Sequence, residues 1–479
     1  MIPALIIIGI ALAILITVVL IRTFAFTPPK TEAHTAESIA LDETKIAESL
    51  AEMIRCKTVS NMDRALEDEA EFDKFKALLP KLFPKVYATC ELEEVNDRAL
   101  LFRWRGKSDK EPTVLMAHFD VVSVVEENWD KPAFDGIIED GVLWGRGVID
   151  TKGSLNAILY AAETLIGEGF IPERDIYFAF GGNEEVNGDG APSIVRLFTE
   201  RGIAPGMVLD EGGAVVSDVF PGVKRQCAVI GIAEKGMLNV EYSVTGGGGH
   251  SSAPAPHTPV GKLSAACVRV ENKPFKFRLT APTKQMFDTL GRHSTFFYRM
   301  IFANLWLFAP VLDMISKKSG GQINAIARTT LAFTQMEGSK GINVIPPRAM
   351  MASNSRILPG ETMESTLEHI KKTVADDGVE VKIINGMNPS AVSRTDSEAW
   401  ARIKSAIGES WQDALISPYL MTACSDARHW SAVSDKVYRF SPFTLSKEEN
   451  ATVHGNNERL PVSTIAKSVE FYLRLIKRS

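Results

Sequence analysis

Residues 2–21 contain no charged side chain and are apolar at nearly every position. Twenty residues at about 1.5 Å rise span about 30 Å, the thickness of a bilayer hydrocarbon core, so this stretch predicts a membrane-spanning helix. A cleaved leader carries a basic start and a shorter apolar run of about 7 to 15 residues. Here Met1 is followed by neither Lys nor Arg, and an uncleaved single-pass anchor is the expectation, with cleavage after a small residue such as Ala25 as the alternative. Breakers follow in Thr27-Pro28-Pro29-Lys30, and 31–44 is mostly polar and reads as a tether. Arg22 and Lys30 follow the span and nothing basic precedes it, a slight positive-inside cue toward a cytoplasmic body that does not settle the side of the membrane.

Beyond the tether, Ile46, Leu50, Met53 and Ile54 recur at helical spacing and predict a helix from Lys45 that stops near Thr58-Val59-Ser60. Short apolar runs then alternate with amphipathic stretches: strands over 113–117, 175–180 and 207–209, helices over 154–166 and 191–199. That alternation predicts an α/β sheet covered on both faces. From about Gly231 the texture changes to in-out alternation, as in 238–244, followed by Gly246-Gly247-Gly248-Gly249, a helix from Pro259, and strands over 329–334 and 349–353. This is the pattern of an α+β domain inserted into the first. Helical patterning resumes near Ser397, and a strand near Val437 and a helix from Ser463 complete the first sheet. The expected division is an anchor and linker over 1–30, the α/β domain over 45–230 and 389–479, and the insert over 231–388. A second apolar run, 296–315, is broken by Arg299, Asn304, Pro310 and Asp313; it reads as an amphipathic helix packed on the insert, with contact to a membrane or an acyl chain as the alternative.

Composition narrows the choice of function. With 45% hydrophobic and 23% charged residues the chain is neither collagenous nor disordered. A net charge of −6 disfavours a surface that neutralises phosphates, so nucleic acid is not an expected partner. The five cysteines stand far apart without a Cys-x-x-Cys pair, which points to neither a thiolate zinc site nor a disulfide framework.

The chemistry gathers at predicted strand ends. His118 and Asp120 follow the apolar stretch 114–117, two residues apart and so on one face of an extended chain. Asp150 closes Trp144-Gly145-Arg146-Gly147-Val148-Ile149 ahead of Thr151-Lys152-Gly153, where capping the next helix is an equally simple role. Glu184 and Glu185 follow one strand, Asp210 and Glu211 end another, and His454 stands in Thr452-Val453-His454-Gly455-Asn456-Asn457-Glu458. Carboxylates converging at one sheet edge raise one another's pKa unless cations neutralise them. Two imidazoles, several carboxylates and no cysteine suit two divalent ions, zinc first, with cobalt or manganese as substitutes. Two ions about 3.5 to 4 Å apart share a carboxylate and activate a water between them.

Five segments, Met116-Ala117-His118-Phe119-Asp120, Gly145-Arg146-Gly147-Val148-Ile149-Asp150-Thr151-Lys152-Gly153, Asn183-Glu184-Glu185, Asp210-Glu211-Gly212-Gly213 and Val453-His454-Gly455, match in order the dizinc metallopeptidases. The chain thus resembles that family, which includes carboxypeptidase S, aminoacylases, glutamate carboxypeptidase, dipeptidases and N-acyl amino acid hydrolases. The resemblance implies a zinc-peptidase catalytic domain with a mixed, mostly parallel sheet flanked by helices, and an insert that serves as lid and dimerisation domain. It implies one zinc on His118, Asp150 and Asp210 and another on Asp150, Glu185 and His454, with Asp150 bridging. Asp120 would orient His118, and Glu184 would be the general base for a water held between the metals.

The resemblance also implies substrate contacts. His250, in the Gly-rich segment before Ser251-Ser252, would polarise the scissile carbonyl, often from the partner subunit of a homodimer. Asn343 and Arg356 match lid positions, and Arg428 would grip the free carboxylate of a peptide or N-acyl amino acid through its guanidinium fork. Cys424 stands where glycine is frequent, and His429 reads as a packing residue. The expected activity is cleavage of an amide next to a terminal carboxylate, as a carboxypeptidase or an N-acyl amino acid hydrolase. A dipeptidase or aminoacylase of small substrates and a non-catalytic membrane-bound binding protein are the alternatives. The residues leave the side of the body open, and the same resemblance favours an extracytoplasmic, vacuolar or secretory lumen.

Overall fold

A computed structural model describes residues 2–29, 36–96, 98–218 and 220–479. Lys30 and 31–35 of the predicted tether lie outside the described residues. The N-terminal run forms α1 (Ile2–Ala25), the one described helix long and apolar enough by itself to cross a membrane, and its side chains are largely exposed. Helix α2 (Glu43–Ile54) begins two residues before the predicted Lys45, because Asp42 accepts the Lys45 amide at 3.2 Å and caps it.

The main body is built on β1 (Glu91–Val95), β2 (Ala99–Trp104), β3 (Ser108–His118), α3 (Lys152–Gly167), β4 (Arg174–Gly181), α4 (Gly190–Glu200), β5 (Met207–Val216) and β6 (Cys227–Glu234). Next come β7 (Gly236–Thr245), α5 (Pro259–Glu271), α6 (Ala281–Arg292), α7 (Phe296–Ala303), α8 (Leu305–Ser319), β8 (Thr330–Glu337), β9 (Arg348–Ile357), α9 (Met363–Val374) and β10 (Glu380–Met387). The chain then closes through α10 (Glu398–Ser410), β11 (Leu415–Met421), β12 (Val437–Leu445) and α11 (Val462–Ile476). Eight strands pair in the order β1-β2-β4-β3-β5-β12-β6-β11, and β8-β9-β7-β10 form a separate antiparallel sheet. The large sheet is mixed: β3 runs parallel to β4 and β5, and β5 to β12, while β1 and β2 are antiparallel.

Alternate residues of β3 enter two different cores. Leu115 and Ala117 pack with α3 and α11, whereas Val114 and Met116 pack with α4 residues Ile194 and Phe198. A strand covered on both faces must be apolar without alternation, as 114–117 is. Fully burying a side chain such as Leu115 contributes about 1.5–3 kcal/mol. β3 and β5 pair only as far as Leu115 opposite Leu209, yet β3 stays with β4 to His118 opposite Gly181. Beyond Leu115 the sheet therefore opens beside His118, leaving room for side chains from several loops.

Candidate metal centre

His118 ends β3 with its backbone clamped from across the opening. Thr151 Oγ1 accepts the His118 amide at 2.8 Å and donates to the His118 carbonyl at 3.0 Å. Thr151, not Asp150, stands at the N-cap of α3, so capping does not account for Asp150. The His118 Nδ1 donates to the Asp120 carbonyl at 3.0 Å and lies 3.3 Å from Asp120 Oδ1. That bond leaves Nε2 to face Asp150 Oδ1 at 3.0 Å and Glu211 Oε1 at 3.5 Å. On the other side of Asp150, Oδ2 lies 2.9 Å from His454 Nε2, which is also 3.0 Å from Glu185 Oε2. Asp150 thus faces one imidazole with each oxygen.

Asp120 is fully buried and organises the acids beside it. Its Oδ1 accepts the Glu184 amide and its Oδ2 the Glu185 amide, both at 3.1 Å, and Ser60 Oγ donates to Oδ2 at 2.7 Å. Burial opposes its charge, but the contacts with His118 and Ser60 outweigh it and hold its carboxyl below the ordinary value. Glu184 goes the other way. Burial, reinforced by the negative charges of Asp426, Glu211 and Asp120 and opposed by His118, pushes its carboxyl well above the ordinary range. Glu211 is likewise pushed well up by burial and by Asp150. His454 is raised to about 10 by its contacts with Asp150 and Glu185.

Two overlapping groups have donor atoms within 4.8 Å of one another: His118, Asp150 and Glu185, and His118, Glu184 and Glu211. Imidazole and carboxylate donors without a thiol fit borderline divalent metals. A bound cation would neutralise such crowded carboxyls and favour their charged forms.

Of the two adjacent acids at this strand end, the one that faces His118 is not the one expected to hold metal. Asp210 is buried, and its Oδ2 accepts the Ala427 amide at 2.8 Å; Glu211 is the side chain that faces His118. The cause is a β-bulge. Asp210 pairs with Arg439, but the next partner of β12, Phe440, meets Gly213, so Glu211 and Gly212 are extra residues that turn the side-chain alternation. Gly212 has φ +144°, and a Cβ there would come within 2.6 Å of Arg439 Cβ. The strand expected to end at Leu209 instead continues through this bulge to Val216. Glu211→Gln is expected to lower metal content and activity at least tenfold more than Asp210→Asn, read by metal analysis and turnover of each variant. The reverse order would return the ligand role to Asp210.

Glu458 and Asp426 also belong to this neighbourhood, and neither stood among the expected site residues. Glu458 Oε2 accepts from Arg146 Nη1 at 2.6 Å and Gly147 N at 3.0 Å, while Oε1 accepts Ile149 N at 2.7 Å and Asp150 N at 3.2 Å. One carboxylate thus fixes the loop carrying Asp150 to the loop carrying His454. The available signal was an opposite-charge pair, Arg146 inside one matched segment and Glu458 three residues beyond another. Asp426 is buried, and burial aided by Asp210 raises it to about 7.

The expected substrate residues fall in two places. Arg428 donates from Nη1 to Ser425 O at 2.8 Å and from Nη2 to Asn187 Oδ1 at 3.1 Å, beside the Glu184 turn, and lines a cavity of about 410 Å³ with residues of 386–391. Arg356 reaches Cys424 Sγ at 3.4 Å in the same loop, rather than a carboxylate across the strand. His429 is half-buried, and burial lowers it to about 4, as packing predicts. His250 and Asn343 lie together on a short exposed ribbon where Gly249–His250 pairs with Val344–Ile345, and the Ser251 amide donates to Asn343 O at 3.0 Å. His250 Nδ1 lies 2.9 Å from Ser252 Oγ, and among the described residues no hydrogen bond or ion pair links it to the carboxylates of its own chain.

Residues 114–478 match the model of Peptidase family M20/M25/M40. The chain is 36% identical over 479 residues to a probable carboxypeptidase S-like 2 of Dictyostelium discoideum, covering 97% of this chain and 92% of the relative. It is 33% identical over 482 residues to the N-fatty-acyl-amino acid synthase/hydrolase PM20D1 of Xenopus tropicalis, covering 98% and 94%. Its fold is similar to the metallo-carboxypeptidase Sso-CP2 of Sulfolobus solfataricus, with a TM-score of 0.67, 16% identity and coverage of 91% and 99%. Donor set, sheet opening and sequence agree: the chain belongs to peptidase family M20/M25/M40 and is a metallopeptidase or amidohydrolase.

Proposed function

We propose that this enzyme hydrolyses an amide bond next to a free carboxylate, as a carboxypeptidase or an N-acyl amino acid hydrolase, with Glu184 as general base. The observation that carries the reading is the position of Glu184. Its amide is held by Asp120, and its half-buried carboxyl stands in one donor group with His118 and Glu211, while the two imidazoles are joined through Asp150 without it. His118, Asp150 and Glu211 would hold one divalent ion, and Asp150, Glu185 and His454 a second, with zinc the best fit to the donors. Such ions, when bound, polarise a carbonyl and make water nucleophilic at neutral pH.

Glu184 then takes the proton of the attacking water and passes it to the leaving nitrogen. Arg428, held between Ser425 and Asn187, binds the substrate carboxylate in the cavity beside this turn, and Arg356 supports that loop through Cys424. The strands β7–β10 with their helices act as lid. His250, exposed and unattached to its own carboxylates, serves with Asn343 across a homodimer. Helix α1 is an uncleaved membrane anchor, and the names of the PM20D1 relatives favour N-fatty-acyl amino acids among the substrates.

The test is an assay of blocked dipeptides and N-acyl amino acids of increasing chain length, each with a free or an amidated terminal carboxyl, before and after chelation. Hydrolysis is expected only without chelator, to return on adding zinc, and to be at least tenfold better for free acids, as losing a charge-assisted pair to Arg428 costs about 1.5–3 kcal/mol. Chelator-resistant turnover, or equal rates on acids and amides, would sink it.

A further inference from the structure

Helix α8 presents its polar side to the protein and its apolar side outward. Of its fifteen residues only Ser316 is buried. Ser316 Oγ accepts from Arg328 Nη2 at 3.2 Å, and Asp313 Oδ1 pairs with the same guanidinium at 2.5 Å. Trp306 and Met314 are meanwhile 55% and 64% exposed, and Val311 and Ile315 are exposed beside them. An amphipathic helix on a protein surface in water buries the opposite stripe, so the packing expected for 296–315 holds for α7, whose Phe302 and Ala303 are buried, and not for α8. Helix α7 adds exposed Phe296, Phe297 and Tyr298, and the two helices meet at a 106° bend around Asn304. Contiguous exposed apolar patches of this kind mark a surface that something else covers.

The bend grips the end of α1. Asn304 Nδ2 donates to Val19 O at 3.2 Å and lies 3.3 Å from Thr23 Oγ1, and Arg22 donates from Nε and Nη2 to Ala303 O at 3.2 and 3.1 Å. The exposed rings of Phe24 and Phe296 stand 5.6 Å apart, and Arg292 sits over the Phe26 ring at 4.4 Å. The outward face of α7 and α8 is therefore continuous with the exposed apolar surface of α1, at the level where the apolar run gives way to Arg22. Around it stand Tyr298, Trp306, Arg299, Lys317 and Lys318, the aromatic and basic types that settle at a membrane–water boundary.

We propose that α7 and α8 lie in the plane of the membrane interface beside α1, their covering partner being the headgroup and upper acyl region of the bilayer. This rests on the reading of α1 as a retained anchor. In-plane helices sink about 5–10 Å into that region. The insert is thereby seated on the membrane, and a substrate with a long acyl chain approaches from the bilayer rather than from water.

The test uses the full chain in phosphatidylcholine vesicles whose lipids carry bromine at a shallow or a deep acyl position, with tryptophan emission as readout. Trp104, Trp400, Trp411 and Trp430 are buried. Trp306→Phe, at an exposed site, supplies the reference. Shallow bromine is expected to quench the wild-type protein at least twofold more than Trp306→Phe, and deep bromine less. If the protein floats with the vesicles and the two quench alike, the in-plane element is wrong while the anchor stands. Failure to float with vesicles at all would overturn the anchor and this proposal with it. A concentration-dependent blue shift of Trp306 in lipid-free detergent, without quenching in vesicles, would assign the face to a second copy of the chain and overturn it too.

Discussion

Glu184→Gln is expected to lower kcat by about 10²–10⁴-fold while the protein keeps its fold and its full metal content. The amide nitrogen of Glu184 holds Asp120 whatever the side chain, so the His118 contacts survive the change. Gln matches Glu in size and relieves one of the crowded charges among Asp120, Glu211 and Asp426, so folding should not suffer. What is lost is the capacity to accept and return a proton. The measurement pairs steady-state kinetics on an N-acyl amino acid with metal analysis of the same sample. Turnover within threefold of wild type would remove Glu184 from the mechanism, whereas loss of metal would make it a ligand.

Glu458→Ala is expected to have the largest effect on stability. It strips the partner from Arg146, whose side chain is 3% exposed, and leaves the amides of Gly147, Ile149 and Asp150 without their acceptor. Removing one member of a buried ion pair costs about 3–5 kcal/mol, because the remaining charge has no compensation. Burial already pushes the Glu458 carboxyl above its ordinary value against the pull of Arg146, so the pair is costly to assemble and costlier to halve. The double variant Arg146→Met/Glu458→Leu should accordingly be less destabilised than the sum of the single changes. Urea unfolding of the three variants reads this, and metal titration should show weakened binding in Glu458→Ala, since Asp150 loses its fixed backbone. An unfolding midpoint unchanged by Glu458→Ala would mean that the two loops are held together by something else.

Much of the site was legible because its chemistry is bound to local pattern. A buried parallel strand is apolar on both faces, which marks 113–117, and the first polar residues after it, His118 and Asp120, necessarily stand at its exit. Asp150, Glu185 and His454 also lie in segments whose order and residue types set them apart, and the structure brings each within 3.0 Å of an opposite partner. Glu211 was not legible in the same way. Asp210 and Glu211 are adjacent acids on one strand, and simple alternation cannot choose between them once a bulge resets the phase. Glu458 was hidden for a different reason: its partners are mainly backbone amides 308 to 311 residues away, and amides carry no identity in a sequence.

The chain's own order of residues determined the apolar N-terminal helix, the α/β alternation and the set of imidazole and carboxylate donors, because each follows from periodicity or residue type within a few neighbouring positions. Tertiary structure alone decided which of two adjacent acids meets His118, how a distant carboxylate locks the Asp150 loop, and that α8 turns its greasy side away from the protein. These depend on strand register and on which surfaces meet in space, and both are set by packing summed over hundreds of residues rather than by any local run.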